Sequence, residues 1–458
     1  MFQLSANTEL TSRVLLDFID QHRLEVAKRY RELYEAYISD HKILHEKAKD
    51  PHKPDNRIVV NFPKYIVDTM NGFFIGNPIK VLSEDKAVSE FVDYIDRYND
   101  QDDNNAELSK ISSLYGKGYE FYFVDENSEL CITYFNPMEA FMIFDDSVLE
   151  KPLYFVRVWT DSDNNEFGCV YTRQYSRNFK LTGGFSWLDE GEPHGFDDVP
   201  ATEYIENEER QGIFEGSVLS MSNAYNKAVS EKANDVDYFA DAYLKVLGTK
   251  LESDDIQHIR DNRVINFEGD DAGKLVVDFM NKPESDTTQE NHLNRLERLI
   301  FQISMVANIS DENFGSSSGI ALKYKLQAMS NLAKTKERKF TSGMNRRYKL
   351  LFGHPLSRVP ADAWVQLEYK FTPNFPANLL EEAQMAAQME GITSHKTQLK
   401  ALSIVDNVEA ELEQIEEENK TDEKTFDDRL NFGFGNLPVH PATTEENSAT
   451  EEGLTDEQ

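Results

Sequence analysis

The sequence predicts an α+β protein with more than one folding unit. Apolar residues recur at helical spacing through much of the chain, and a block of alternating strands lies in its first half. The chain has 458 residues, which exceeds the size at which a single hydrophobic core normally keeps growing. Its hydrophobic content of 40% is sufficient for extended cores.

The N-terminal part is predicted to be mainly helical. One or two amphipathic helices are expected in residues 8–49, where apolar side chains return every three or four positions. A further helix is predicted over 61–72, ended by Gly72 and followed by a turn at 76–78 and the strand "IKVL". Two more helices are expected at about 87–98 and 104–115.

Four strands follow these helices. They are "YEFYFV" (119–124), "LCITYFN" (130–136), "LYFVRVW" (153–159) and "GCVYTRQ" (168–174). Between the last two strands, "DSDNNE" (161–166) has the acidic spacing of a calcium loop. It lacks the glycine expected at the sixth position and the glutamate at the twelfth, so we interpret it as a hairpin turn.

The second half is dominated by long helices. A long helix is predicted over 218–248, ended by Gly248, and another begins near Asp286. Between them lies a compact segment, 249–282, with a short helical piece and two strands, "RVINF" and "KLVVDFM". The pattern indicates a helical hairpin with a small module at its tip.

A polar, glycine-bearing loop at 309–319 leads into a long helix at 320–352. This helix contains nine basic residues and one acid, Glu337, in a protein whose net charge is −34. Two interpretations stay open: a solvated face that balances acidic neighbours, or a basic track near phosphates. Charge alone does not decide between them.

The C-terminal part changes from folded to acidic sequence. A strand is predicted at 364–371, and helices at 378–389 and 393–418. Residues 405–458 contain 17 acids and three bases, and we expect disorder after about residue 418.

Composition argues against several functional classes. The net charge of −34 does not fit a surface that wraps nucleic acid, because such surfaces neutralise many phosphates. The two cysteines, Cys131 and Cys169, cannot form a disulfide framework, and no spacing of Cys and His indicates zinc. The sequence shows neither a secretory leader nor an apolar run long enough for a membrane span, so no membrane partner is expected.

No catalytic motif is recognisable either. Gly-Lys-Gly at 116–118 lacks the other residues of a phosphate-binding loop, and the histidines form no metalloprotease motif. We therefore expect no enzyme, no metal and no cofactor.

Four stretches carry a resemblance to a known family. They are "NRIVVNFPKYIVDTMNGFFIGNPIKV" (56–81), "SSLYGKGYEFYFVDENSEL" (112–130), "YNKAVSEKANDVDYFADAYLKVLG" (225–248) and "FGSSSGIALKYKLQAM" (314–329). In this order they resemble the portal proteins of tailed bacteriophages, of the type found in long-tailed phages of Gram-positive hosts. The resemblance covers about residues 10–415.

The resemblance implies a portal-type fold and a ring, normally a homododecamer, at one capsid vertex. DNA would enter through the ring channel during packaging and leave at infection. The implied regions are a wing (1–215), a stem helix (216–248), a clip (249–283), a second stem helix (284–307), a tunnel loop (308–319), a long helix returning to the wing (320–391), a crown (392–418) and an acidic tail (419–458).

The resemblance also implies functional residues and partners. The tunnel loop facing DNA would contain Asn313, Phe314, Gly315, Ser316, Ser317, Ser318 and Gly319. Basic residues that could face DNA are Lys323, Lys325 and Lys334. Clip residues expected to dock partners are Asp254, Asp255, His258, Arg260, Arg263 and Lys274. Implied partners are double-stranded DNA, the terminase large subunit, a head-completion or adaptor protein, and the major capsid and scaffolding proteins. Assembly would occur in the host cytoplasm.

Two alternatives belong to other classes. A metal-dependent DNA-processing enzyme would use scattered carboxylates and would nick plasmid DNA in the presence of divalent cations. A coiled-coil scaffold of head assembly would form an elongated oligomer without a central hole, and the predicted strands at 119–174 count against it.

Overall fold

The computed structural model describes residues 1–240 without 7, 51 and 52, then 244–247, 276–279, 286–309, 324–374 and 379–420 without 403, 406, 407 and 419. The chain divides into two compact units, Met1–Phe375 and Pro376–Gln458. Both helices and sheets are present, which confirms the predicted α+β class.

The helices and strands alternate in a mixed order along the chain. The α-helices are α1 (Ser12–Glu25), α2 (Arg31–Tyr37), α3 (Phe62–Ile75), α4 (Lys86–Tyr98), α5 (Gln101–Tyr115), α6 (Ser217–Ala240), α7 (Asp286–Ser304), α8 (Gln327–Gly353), α9 (Leu379–Gln388), α10 (His395–Lys400) and α11 (408–418). The strands are β1 (Phe2–Leu4), β2 (Lys80–Leu82), β3 (Lys117–Val124), β4 (Leu130–Phe135), β5 (Ala140–Asp145), β6 (Pro152–Thr160), β7 (Glu166–Tyr171), β8 (Tyr175–Lys180), β9 (Ser186–Trp187), β10 (Glu192–Pro193), β11 (Ala201–Ile205), β12 (Leu244–Leu247), β13 (Val276–Phe279) and β14 (Glu368–Lys370). A π-helical turn, Val26–Tyr30, joins α1 to α2.

Two sheets pack face to face in the first unit. The larger has the order β1-β5-β6-β7-β8-β10 with β9 on β8, and the smaller has the order β11-β3-β4. Helix α1 covers one face of the larger sheet, where Leu15 and Ile19 meet Phe141 and Phe179. Side chains of the opposite face, such as Phe155, pack against the smaller sheet.

Helices α3, α5 and α8 form the main core beside the smaller sheet. Helix α3 begins at an N-cap, because the Asn61 side chain accepts a hydrogen bond from the Lys64 backbone N–H at 2.9 Å. The prediction that Gly72 ends this helix is wrong. The helix continues to Ile75, since burial of Phe73 and Phe74 outweighs the cost of a helical glycine, about 1 kcal/mol.

Helices α6 and α7 form an antiparallel hairpin that a β-ribbon extends. Lys232 of α6 forms an ion pair with Glu290 of α7, and further along Leu244 pairs with Phe279 across β12 and β13. The prediction that the first helix runs to Gly248 is wrong, because Leu244–Leu247 is a strand. The β-branched and aromatic residues of Val276–Phe279 provide its partner strand.

Residues 56–60, which we call the strap, run antiparallel to helix α6 and are held by its side chains. Three backbone N–H groups of the strap donate to α6: Asn56 N to Asn234 Oδ1 (2.6 Å), Ile58 N to Ser230 Oγ (2.9 Å) and Val60 N to Asn226 Oδ1 (2.8 Å). The Asn56 side chain also donates to Asp237 of α6. We call Asn226, Ser230 and Asn234 the polar ladder. Two residues of an extended chain span about 6.6 Å, and four residues of a helix span roughly 6 Å. Alternate strap residues therefore stay level with every fourth residue of α6 over all three hydrogen bonds.

Other predicted elements are confirmed in part. The segment "DSDNNE" is a hairpin turn, in which Asp161 Oδ1 accepts the backbone N–H groups of Asp163 and Asn165. The strand predicted at 364–371 is shorter, because a 3-10 turn occupies Ala363–Gln366 and only Glu368–Lys370 pairs, with β2. The helix predicted at 393–418 is divided into α10 and α11.

Candidate DNA-channel residues and the long basic helix

The structure places only some of the candidate residues. Lys325 lies just before α8 and Lys334 lies within it, and both are exposed. The candidates outside the described residues are Asn313, Phe314, Gly315, Ser316, Ser317, Ser318, Gly319, Lys323, Asp254, Asp255, His258, Arg260, Arg263 and Lys274. Their roles therefore stay predictions from the sequence.

Helix α8 distributes its cations over two faces. Lys334, Arg338 and Lys349 are exposed, whereas Lys336 and Arg347 are 1% and 0% exposed. Each buried cation faces a buried carboxylate of the sheet region. In the described part of the helix, Lys336 and Arg347 therefore bind buried acidic neighbours, which neither the solvated face nor the basic track of the two open interpretations predicted.

Lys336 lies in a closed polar pocket between α5 and the segment after β11. Its Nζ donates to Glu206 Oε2 at 2.6 Å and to the carbonyl oxygen of Ser109 at 2.8 Å. The hydroxyl groups of Ser112 and Ser113 also accept from it. Burial lowers the pKa of Lys336, and the negative charge of Glu206 opposes that effect.

Arg347 forms the second buried pair, three turns further along. Its guanidinium donates to both carboxylate oxygens of Glu120 on β3, at 2.7 and 2.9 Å, and to Asn105 at 2.6 Å. Tyr122 and Tyr204 donate to the same carboxylate. Burial favours a lower pKa of Arg347, but the charge of Glu120 outweighs it, and the pKa is raised.

Two partly exposed ion pairs add to the buried pairs that fix α8 to the sheet region; together we call these four pairs the anchor. Arg346 donates to Asp198 at 3.0 Å and to the carbonyl of Val199 at 3.1 Å, and Lys339 pairs with Glu208. Gly343 allows the close approach of the helix to the sheet, because a Cβ there would lie 2.4 Å from the ring of Tyr204. The carboxyl-terminal two-thirds of α8 is thus fixed to the smaller sheet.

Sequence reasoning missed this anchor, although a signal was present. Lys336 and Arg347 lie eleven residues apart, about three helical turns, and so occupy one face. The apolar residues on that face are Met329, Ala333, Phe340, Met344 and Leu351. A cation inside an apolar stripe indicates a buried partner, because an unpaired buried charge is very costly.

Two properties of the described residues bear on other functions. Within them, no group of three or more His, Cys, Asp or Glu side chains is arranged to hold a metal ion. None of the helices in this part of the chain is both long and apolar enough to cross a membrane.

A family model described as "Phage portal protein, SPP1 Gp6-like" matches residues 16–425. The chain belongs to this family of phage portal proteins. The match spans most of the chain, including the smaller sheet, the larger sheet apart from β1, the helical hairpin and α8. It confirms the resemblance inferred from the four sequence stretches.

Two relatives are portal proteins of phages with Gram-positive hosts. The chain is 22% identical over 422 residues to the portal protein of Bacillus phage SPP1, which covers 86% of this chain and 81% of that protein. It is 27% identical over 248 residues to the portal protein of Clostridium phage phiCD119. That alignment spans 52% of this chain and 53% of the relative, about half of each.

Family membership establishes the general role. Portal proteins are structural, oligomeric components of the phage head rather than enzymes, and they reside in the virion capsid. The family assignment does not favour a DNA-processing enzyme or a coiled-coil scaffold.

Proposed function

We propose that this portal protein forms a closed ring, normally of twelve subunits, whose channel passes double-stranded DNA at one capsid vertex. The observation that carries the proposal is the family match over residues 16–425 of a chain with the expected α+β architecture. Ring closure requires a heterologous contact, in which different surfaces of neighbouring subunits meet.

We assign the regions of the ring from the family resemblance, and the element order supports the assignment. The α+β part up to residue 215 is the wing, and α6 with α7 is the stem. The clip is residues 249–283. We add β12 to it, because β12 pairs with β13, which lies within that range. Residues 308–319 are the tunnel loop, and α10 with α11 is the crown.

The charge distribution suits passage rather than tight binding. Each phosphate that a protein neutralises adds salt-dependent affinity, which would slow a moving duplex. Within the described residues, the cations of α8 nearest the sheet, Lys336 and Arg347, are occupied by carboxylates, so exposed basic residues such as Lys334 would be the ones to meet DNA. In a ring, each of these becomes a circle of charges.

The clip is the proposed docking surface for the terminase large subunit during packaging and for a head-completion or adaptor protein afterwards. The wing and crown would contact the major capsid and scaffolding proteins. Assembly would take place in the host cytoplasm, before the DNA is packaged.

A deletion in the tunnel loop tests the DNA-channel role. Deletion of Ser316–Ser318 should leave rings intact and reduce the amount of DNA packaged per particle. The control replaces the same three serines with alanine, which keeps the loop length and should preserve packaging. Normal DNA content in particles that carry the deletion would contradict the proposed role of the loop.

A further inference from the structure

The larger sheet has a part of one face that the smaller sheet does not cover. At this end, Arg157 of β6 pairs with Cys169 of β7 in the strand register. Trp159 pairs with Phe167, which in turn pairs with Lys180 of β8. Because side chains alternate along a strand, these residues project to the face opposite helix α1.

Arg157 lies between two aromatic rings without an acceptor. Its guanidinium carbon is 4.5 Å from the ring centre of Phe135 and 5.1 Å from that of Trp159. Its Nε is buried and has no hydrogen-bond partner among the described residues, and the same part of the chain offers no ion pair to this side chain. A buried donor without an acceptor is costly, so the Nε side of this half-buried guanidinium lacks a partner.

A second cation lies on the same aromatic surface. Lys180 Nζ is 5.5 Å from the ring centre of Phe167, and that ring stacks on Trp159 at 6.3 Å. Within the described residues, Lys180 has no carboxylate at ion-pair distance. The carboxylate of Asp161, in the nearby turn, accepts backbone N–H groups of that turn, and these lower its pKa together with the more distant charge of Lys180.

The two cations, Arg157 and Lys180, with the aromatic rings beside them favour a carboxylate ligand. The planar fork of a guanidinium matches a carboxylate with two parallel hydrogen bonds, and the flanking aromatic rings exclude water from that contact. Nucleic acid fits less well, because two cations neutralise few phosphates and the protein carries a net charge of −34.

We propose that the Arg157 face, consisting of Phe135, Arg157, Trp159, Phe167 and Lys180, docks an acidic surface segment of a second copy of this chain. This inference rests on the proposed ring, in which different surfaces of neighbouring subunits meet. The chain has 82 acidic residues against 48 basic ones, so an adjacent copy presents many carboxylates. The two cations provide the complementary charge at a heterologous interface.

The first experiment compares the assembly of purified full-length variants by native mass spectrometry over a range of salt concentrations. R157Q should require at least a tenfold higher protein concentration than the wild type to form rings, with an unchanged thermal midpoint. R157K keeps the charge but lacks the planar fork, so it should form rings at a protein concentration between those of the wild type and R157Q. The matched control is R97Q, because Arg97 is exposed on α4, and it should assemble like the wild type.

The outcomes separate this inference from the proposed ring. Wild-type rings together with equally stable R157Q rings would overturn the inference and leave the ring intact. If R157Q fails to fold, K180Q provides the same comparison.

A wild-type chain that stays monomeric would contradict ring formation by the isolated protein. In that case an acetylated hexaglutamate peptide is titrated into the protein while tryptophan fluorescence is followed. A saturable, salt-sensitive change that is at least tenfold weaker in R157Q supports the Arg157 face. No change, or a change independent of Arg157, overturns it.

Discussion

The two long helices of the first unit, α6 and α8, are held by opposite means. Helix α8 is fixed by charges: Lys336 and Arg347 are completely buried against Glu206 and Glu120. Helix α6 is joined to the strap backbone by neutral groups, the amides and hydroxyl of the polar ladder, and the one charged acceptor among the described contacts, Asp237, is exposed. Its visible ion pairs, such as Lys49 with Glu231, are partly exposed.

The difference determines how each helix responds to disturbance. A buried ion pair tolerates little displacement, because each charge left without its partner faces a large desolvation cost. Neutral hydrogen bonds cost less to break and to remake. The sheet region around α8 should therefore act as a rigid frame, while α6 and the strap should open locally at lower free energy.

The largest expected effect comes from removing one member of a buried pair. K336A leaves Glu206 buried without a cation and should reduce the free energy of unfolding by about 3–5 kcal/mol. Urea denaturation measures this change. K336M combined with E206Q removes both charges and should recover most of the loss.

The control for this prediction lies two residues away. K334A alters an exposed lysine of the same helix and should change stability by less than about 0.5 kcal/mol. If K336A costs no more than K334A, the buried pair does not anchor α8.

An intermediate effect is expected from the polar ladder. N226A removes the acceptor of the Val60 N–H and should cost about 1–3 kcal/mol. Hydrogen exchange resolves it further: the amides of Ile58 and Val60 should exchange slowly in the wild type, and those of Arg57 and Val59 quickly. In N226A the protection of Val60 should disappear first.

S220A serves as the control for the ladder, because Ser220 is exposed on the same helix. It should leave exchange in the strap unchanged. Uniform protection across residues 56–60 of the wild type would contradict the alternating contact with α6.

The smallest expected effect is a loss of stability in acid, where α8 meets the loop after β10. His354 Nδ1 accepts the Leu356 N–H, and His194 Nδ1 accepts the Phe196 N–H, so neither ring can be protonated there without losing a bond. Burial lowers the pKa of both histidines. Because the unfolded state binds protons first, stability is complete above about pH 6.5 and falls as the pH drops towards the folded-state pKa values.

Thermal midpoints between about pH 7.5 and pH 5 measure this effect, which we expect to be about 1 kcal/mol. The double variant H194N/H354N keeps an acceptor oxygen but cannot titrate, so its acid limb should be flatter. H292N, at an exposed position of α7, should keep the wild-type slope. Equal slopes in all three proteins would contradict the role of the two histidines.

Local patterns predicted most of the elements but not their contacts. Helices α4 and α5 and strands β3, β4, β6 and β7 lie where apolar periodicity indicated. The strand β12 was missed because its four residues continue the helical spacing of α6, and only the distant β13 decides their pairing. The end of α3 was predicted wrongly at Gly72 for the same reason, since burial of the residues after it depends on tertiary packing.

For the functional residues too, the sequence indicated residue types but not their contacts. The excess of cations in α8 was visible in the sequence, but whether each one meets a carboxylate or solvent depends on residues more than a hundred positions away, such as Glu120 and Glu206. The tunnel-loop and clip residues rest on the family resemblance alone, so they stay predictions. The Arg157 face had no sequence signal, because its members come together only through the register of β6, β7 and β8.

Negative-stain electron microscopy of the purified full-length protein tests the central claim, that this portal protein is a closed ring with a channel. The account predicts round particles with a central hole and a rotational symmetry near twelve. Compact particles without a hole, with a native mass corresponding to a dimer, would contradict it.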